Sequence, residues 1–243
     1  MVRLGDTVRR PQRRTSHATH RLLEHLELAG FDGSPRFLGV DARNREVLSF
    51  IPGEAVTPPY PSWALSDAAL QSVAVLLRRY HQAVSSLDPS GLSWPASPPD
   101  PYGGGLVSHN DPNLHNVVFR HGRAVAFIDF DLASPGSVRW DIAAAARLWA
   151  PLRADADISD SRRGRALARF KLFVDTYGPD GTDHAELVRA VQVNHDWLYM
   201  MVRAEALTGS PGFIDYWRRA ADRVARTRQW YAMNQQQLKD ALG

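Results

Sequence analysis

Four prolines fall between residues 52 and 61, in the stretch IPGEAVTPPYPSW. Proline lacks a backbone N–H and fixes φ, so neither a helix interior nor a central strand can run through such a segment. The chain must therefore fold as something before it and something after it. Before it, "MVRLGDTVRRP" gives two short runs, Val2–Leu4 and Thr7–Arg10, split by Gly5-Asp6, a hairpin signal ended by Pro11. A helix is expected over about 15–29, with Leu22, Leu23 and Leu26 at helical spacing and Ala29-Gly30 as its stop. "SPRFLGVD" and "REVLSFI" read as a strand pair turning at Asp41–Asn44. After the prolines, Ser66-Asp67 opens a long helix to about Val84, with Leu70, Val73, Leu76, Leu77 and Tyr80 on one face. Residues 88–105 read as loop. A hairpin follows, Val117–Phe119 and Ala124–Phe130 around a turn at His121-Gly122, and from Trp140 onward the pattern is helical, with loops near 153–160, 178–183 and 208–212. The expected organisation is a small unit of strands plus one helix over 1–51, a connector over 52–61 and a larger, mainly helical unit over 62–243. The junction of two such units is where ligands usually bind.

Composition removes several classes of function. The 243 residues include no cysteine, which excludes disulfide frameworks, thiolate metal sites and cysteine nucleophiles. The net charge is only +3, and Lys171 and Lys239 are the sole lysines among 29 basic residues. No basic stripe interleaved with aromatics marks a nucleic-acid reader, so no nucleic-acid partner is expected. No apolar run nears the ~20 residues of a membrane span, and the N-terminus lacks the apolar stretch of a signal peptide. The expectation is a cytoplasmic protein with no membrane partner.

Chemistry concentrates in "LVSHNDPNLHNVVF", residues 106–119, with the spacing His109-x-Asp111-x-x-x-x-Asn116. Asp129 follows 13 residues after Asn116, with Asp131 beside it in "AFIDFDLA". The intervening hairpin folds back and brings Asp129 near Asn116. Oxygen donors without thiolates suit a hard cation such as Mg²⁺, which takes one or two carboxylates and completes its shell with water and substrate phosphates. A base aspartate, an asparagine five residues on and a second metal-holding aspartate form the working end of a phosphoryl-transfer site. Blander readings stand beside this one: a turn at Asp111-Pro112, a bend at Asn116, and a strand-end carboxylate at Asp129. His109, Asp111 and His115 also spell a two-histidine, one-carboxylate metal site. Asp141 reads as a helix N-cap or a brace for the loop. Asp155, Asp157 and Asp160 read as a cluster that caps and solvates a helix start, or one that greets a cationic sugar.

The segments "SHNDPNLHN" and "FIDFDLA", with "VLSFIPGE", "LLRRYHQ" and "RWDIAAAA" in the same order, resemble the aminoglycoside phosphotransferase and choline kinase group. The resemblance covers about residues 7–150. It implies an α+β, two-lobed protein-kinase-like fold with a truncated, strand-rich N-terminal lobe and a larger helical C-terminal lobe. It implies transfer of the γ-phosphate of ATP or GTP to a hydroxyl of a small molecule, an aminoglycoside-like antibiotic being the named class. On it, Asp111 is the catalytic base, Asn116 and Asp129 are ligands of Mg²⁺, Asp131 is a supporting or alternate metal acid, and His109 holds the loop. The backbone of Ser49, Phe50 and Ile51 faces the nucleotide base, and Arg9 stands where the family has its phosphate-binding lysine, with Arg10 next. The chain departs from the pattern in three ways. No glycine-rich run precedes "TVRRP", no lysine stands on that strand, and the helix glutamate is either Glu24 or Glu27 or is replaced by His17 or His20. These departures leave two alternatives: a start upstream of Met1, or a degenerate kinase-like binding protein with little transfer activity.

Overall fold

The front of the molecule is a four-stranded antiparallel sheet, ordered β1-β2-β4-β3 in a computed structural model that describes residues 1–178, 181 and 183–243. Of the loop expected near 178–183, residues 179, 180 and 182 lie outside the described residues. Strands β1 (Val2–Leu4) and β2 (Thr7–Pro11) form the first hairpin. Gly5 turns it at φ 58°, a left-handed conformation that glycine alone adopts without steric cost. Helix α1 (Ser16–Leu28) follows and buries Leu22, Leu23 and Leu26, as their spacing predicts. Strands β3 (Phe37–Val40) and β4 (Arg45–Ser49) close the sheet around Asp41, whose Oδ1 accepts from the amides of Arg43 and Arg45 at 2.9 and 3.0 Å. Pairing of β2 with β4 sets Arg10 directly across from Glu46.

The proline-rich connector contributes a short strand of its own, β5 (Glu54–Ala55), which pairs with β7 (Val117–Arg120). Helix α2 (Asp67–Val84) begins at the Ser66 N-cap, whose hydroxyl accepts from the Ala69 amide at 3.1 Å. It buries Leu70, Val73, Leu76, Leu77 and Tyr80, the four aliphatic side chains each worth roughly 1.5–3 kcal/mol of transfer out of water. Strand β6 (Leu106–Ser108) leads into the polar stretch, and β9 (Ser134–Gly136) pairs with it after the hairpin of β7 and β8 (Arg123–Phe127). Helices α3 (Val138–Trp149), α4 (Ala166–Tyr177), α5 (His184–Leu207) and α6 (Pro211–Leu242) complete the chain. One hydrophobic core runs from Leu22 and Leu48 in front, through Tyr80 and Phe127, to Trp140, Trp149 and Phe170 behind. The architecture is α+β.

Two local expectations change. The second strand of the hairpin, expected to reach Phe130, ends at Phe127. Asp129 adopts φ 60°, ψ 67°, a left-handed conformation incompatible with a strand, and a 3-10 turn over Phe130–Leu132 follows. Asp141 is not the N-cap of α3. That role belongs to Ser137, which accepts from the Trp140 amide at 3.3 Å.

Candidate active site

Hairpin geometry decides what the polar stretch becomes. Val117 pairs with Phe127, and the Ile128 amide donates to the Asn116 carbonyl at 2.9 Å. The ladder thus closes with Asn116 and Asp129 at the two feet of one hairpin. Asn113 shapes the turn between Asp111 and Asn116: its Oδ1 accepts from the amides of His115 and Asn116 at 2.9 and 3.2 Å. Its Nδ2 donates to Asp111 Oδ1 at 2.8 Å. Asn116 Nδ2 donates to the other carboxylate oxygen and to the Asp111 carbonyl, both at 3.0 Å. That leaves Asn116 Oδ1 as the acceptor end of the amide. Burial pushes the Asp111 carboxyl up to about 6, against the downward pull of the Asn113 hydrogen bond and the Arg147 charge.

The loop rests on a buried polar frame. Asp141, fully buried, accepts from the amides of His109 (2.8 Å) and Asn110 (3.0 Å) and from His81 Nε2 (3.0 Å). Burial alone would raise this carboxyl; the His81 hydrogen bond and the neighbouring histidines outweigh it and hold it low. His109 spans the hairpin base, with Nε2 at 3.2 Å from the Ile128 carbonyl and Nδ1 accepting from the Asp111 amide at 3.3 Å. A carbonyl only accepts, so Nε2 carries the proton. Burial lowers the pKa of this ring and favours the neutral tautomer that the two contacts require. Asn110, at φ 67°, is fixed from three sides: it donates to the Leu132 carbonyl and to the Ser134 hydroxyl and accepts from Trp140 Nε1, each at 2.8 Å. Trp149 Nε1 donates to the Pro112 carbonyl at 2.8 Å.

From the front lobe, Arg10 reaches over the hairpin foot. Its Nε donates to Glu46 Oε1 at 2.6 Å, Nη1 to Asp129 Oδ1 at 3.1 Å, and Nη2 lies 2.7 Å from Asp131 Oδ1. Arg13 takes the other oxygen of Asp131 at 2.8 Å. Glu46 Oε2 sits 2.7 Å from His20 Nε2, whose ring stacks on Phe37. Arg10, and not Arg9, is therefore the arginine brought to the aspartates. Arg9 projects from the opposite face of β2 toward Asp41, at 3.4 Å. Neither Glu24 nor Glu27 turns inward: they pair with Arg21 and Arg36 on the surface. The acid partner of the arginine is Glu46, supplied by the neighbouring strand, and His20 is the residue that α1 contributes.

Ser49 ends β4, and Phe50 and Ile51 follow it between the lobes. The Ser49 amide donates to the Arg36 carbonyl and the Phe50 amide to the Asp6 carbonyl, at 2.9 and 2.8 Å. The Phe50 ring lies 3.5 Å from the Arg3 guanidinium carbon. His115 is exposed and meets the Tyr60 hydroxyl at 3.1 Å. The transition-metal set of His109, Asp111 and His115 is not assembled: among the described residues no three His, Asp or Glu side chains converge on one cation. The acidic cluster is spent locally, with Asp155 on the Gly164 amide, Asp157 on Arg226 and Asp160 on Arg162. The donors present do fit a hard cation: one amide oxygen from Asn116 and a half-exposed carboxylate from Asp129, the small oxygen set that Mg²⁺ takes from protein. Among the described residues no helix is long and apolar enough to cross a membrane.

A strand-rich front carrying a basic residue on its second strand, a connector, a polar loop and an aspartate at a hairpin foot are arranged as in the two-lobed, protein-kinase-like fold of the solved structures on which this chain superposes. Residues 93–173 match the model of the phosphotransferase enzyme family, a span that includes Asp111, Asn116, Asp129 and Asp131. A choline/ethanolamine kinase family protein from Mesorhizobium loti superposes with a TM-score of 0.64 over 99% of this chain and 87% of its own, at 14% identity. A macrolide 2'-phosphotransferase from Brachybacterium faecium does so with a TM-score of 0.56 over 86% and 82%, at 15% identity. In sequence, a trifolitoxin immunity protein of Rhizobium leguminosarum bv. trifolii is 37% identical over 158 residues, 61% of this chain. The match spans 57% of that relative's length.

Proposed function

We propose that the protein transfers the γ-phosphate of ATP or GTP to a hydroxyl group of a small molecule, in the presence of Mg²⁺. The observation that carries this reading is the convergence of Asp111, Asn116 and Asp129 through one hairpin, on a loop held rigid by Asp141 and His109. Phosphoryl transfer asks for positioning and charge neutralisation more than for covalent help from protein. Asp111 supplies a fixed carboxylate, ionised above about pH 6, that orients the acceptor hydroxyl and takes its proton. Asn116 Oδ1 and Asp129 would hold Mg²⁺, which when bound neutralises the phosphate oxygens. Arg10 and Arg13 place two guanidinium groups where phosphates would lie, and Asp131 orients both. Ser49, Phe50 and Ile51 line the approach for the nucleotide base; the first two amides are engaged, and the Ile51 amide has no backbone partner among the described residues.

The acceptor belongs to the class of small hydroxyl compounds. The kinship with a trifolitoxin immunity protein supports an antimicrobial as that acceptor, modified in the cytoplasm as a means of self-protection. An aminoglycoside-like acceptor would want free carboxylates, and the acids at 155, 157 and 160 are already partnered.

One observation favours a second reading. Arg10 occupies Asp129 and Asp131 together, the posture of a site in which an internal cation replaces metal. On that reading the protein is a kinase-like binder with little or no transfer. Nucleotide turnover with a panel of hydroxyl acceptors, for the wild type, Asp111→Ala and Asp129→Asn, separates the two. Transfer that falls about 10²- to 10⁴-fold in Asp111→Ala supports the enzyme. Mg-nucleotide binding with no transfer above the Asp111→Ala background would sink it and leave the binder.

A further inference from the structure

Behind the catalytic loop, between the C-terminal turn of α3 and helices α5 and α6, lies a pocket of about 60 Å³. Its walls include Arg147, Arg153, Arg223, Tyr199, His195 and Tyr231. Its charge is unbalanced. Arg162, Arg226 and Arg228 nearby are taken by Asp160, Asp157 and Asp196. Arg147, Arg153 and Arg223 have no carboxylate partner among the described residues.

Arg147 is only 7% exposed, and among the described residues its side chain makes one hydrogen bond, from Nε to the neutral Asn194 Oδ1 at 2.7 Å. Arg147 Nη2, Arg153 Nε and Asn194 Nδ2 are buried nitrogens with no hydrogen-bond partner among the described residues. All three are donors. A buried cation left unpaired, with donor hydrogens unsatisfied, is costly, and an arriving acceptor with negative charge removes that cost. The field at the pocket registers on Tyr199: burial would raise its phenol, yet the Arg147 charge, a hydrogen bond with Tyr216, and the charge and hydrogen bond of Arg223 together lower it. Arg147 also ties the pocket to the chemistry, since it is the cation that acts most on Asp111.

We infer that this pocket binds an anionic group, a carboxylate or a phosphate, carried by the acceptor whose hydroxyl Asp111 receives. This rests on the phosphotransfer reading and narrows it: the acceptor is a hydroxy acid or a phosphorylated hydroxyl compound, held by its anion, and not a polycation. The pocket volume is that of a few water molecules, enough for the charged group alone, so the rest of the acceptor extends toward the catalytic loop.

The test has two arms on the full-length protein. In the first, inorganic phosphate and acetate are titrated separately by calorimetry into the wild type, Arg10→Gln, Arg153→Gln and Arg223→Gln, with far-UV circular dichroism to confirm folding. Phosphate could also settle near Arg10, so that variant locates the signal. The expected result is saturable binding of at least one anion that persists in Arg10→Gln and weakens about tenfold or more in Arg153→Gln and Arg223→Gln. Preference between the two anions identifies the group. No binding by the wild type, or binding indifferent to both pocket variants, overturns the inference. In the second arm, transfer is measured to hydroxycarboxylates, sugar phosphates and an aminoglycoside. A raised KM with retained kcat for the anionic acceptors in the pocket variants supports the inference. Transfer to the aminoglycoside that ignores both variants overturns it. Anion binding as expected without transfer to any acceptor retains the pocket and defeats the phosphotransfer reading.

Discussion

Replacing Asp111 by asparagine should stabilise the folded protein while abolishing the proposed phosphotransfer, and the size of the stability effect follows from the site. Burial raises the carboxyl from 3.8 to about 6. At 1.36 kcal/mol per unit, the ionised form therefore costs the native state about 3 kcal/mol. Between these two values the native state binds the proton that the unfolded chain has released. Wild-type stability therefore falls as pH rises from about 3.8 through 6, and levels off above. Asparagine keeps the shape without the charge. It gives up one of two hydrogen bonds, because Asn113 and Asn116 both donate to the carboxylate and an amide has one acceptor oxygen; that loss costs roughly 1–2 kcal/mol. The net expectation is a variant about 1–2 kcal/mol more stable than wild type at pH 8 in metal-free buffer, an advantage that disappears or reverses near pH 4.5. Urea unfolding at both pH values measures it, and a chain of this length moves its Tm by roughly 2–4 °C per kcal/mol. A stability gap that stays constant from pH 4.5 to 8, or a variant less stable at pH 8, would refute the burial argument for Asp111.

Three further outcomes are expected. Asp141→Ala strands three buried donors, the amides of His109 and Asn110 and the His81 ring, so urea unfolding should show a loss of about 3–5 kcal/mol. Glu46→Gln removes one of the three carboxylates around Arg10, the one paired across β2 and β4, and leaves Asp129 and Asp131 on it; it should destabilise by about 1–2 kcal/mol, whereas Glu24→Gln, on an exposed surface pair, should stay within ~0.5 kcal/mol in the same titration. Turnover without added stress on the fold should rise with pH through a midpoint near 6, as Asp111 loses its proton; chelation of divalent cations should remove it, and Asp129→Asn should raise the Mg²⁺ concentration needed for half-maximal rate.

Much of this is legible in the amino-acid sequence. Gly5-Asp6 marked the first hairpin, the leucine spacing gave α1, and the run from Leu70 to Tyr80 gave α2, because short-range periodicity and turn chemistry decide such elements. The polar stretch and its hairpin were legible for the same reason. What escaped depends on which residues meet across the chain. Arg9 and Arg10 differ only in the face of one strand, and nothing local says which face looks inward. Glu46 lies 36 residues from Arg10 and becomes its partner only through the β2–β4 register. For Asp141 the sequence leaves a cap and a brace side by side; the brace is the one found, and choosing it requires knowing that α3 lies against the loop at 109–110. Asn113 shapes the turn through its own side chain, a role that the spacing of Asp111 and Asn116 does not announce. The arginines of the rear pocket come from α3, the loop after it and α6, a grouping no spacing in the sequence announces.

The β7–β8 hairpin carries an irregularity with a consequence of its own. Val118 pairs with Ala126, but Phe119 pairs with Ala124, so Val125 stands as an extra residue in the ladder. Such a residue works as an expansion joint. Deleting Val125 lets the two strands close into a regular ladder while Val117 still meets Phe127, so Asn116 and Asp129 keep their places at the feet. Deleting Val118 from the opposite strand has no slack to absorb it and displaces one foot relative to the other. The slack therefore lies on one strand alone, and it is there, not on the opposite strand, that a one-residue deletion is expected to leave the two feet in place.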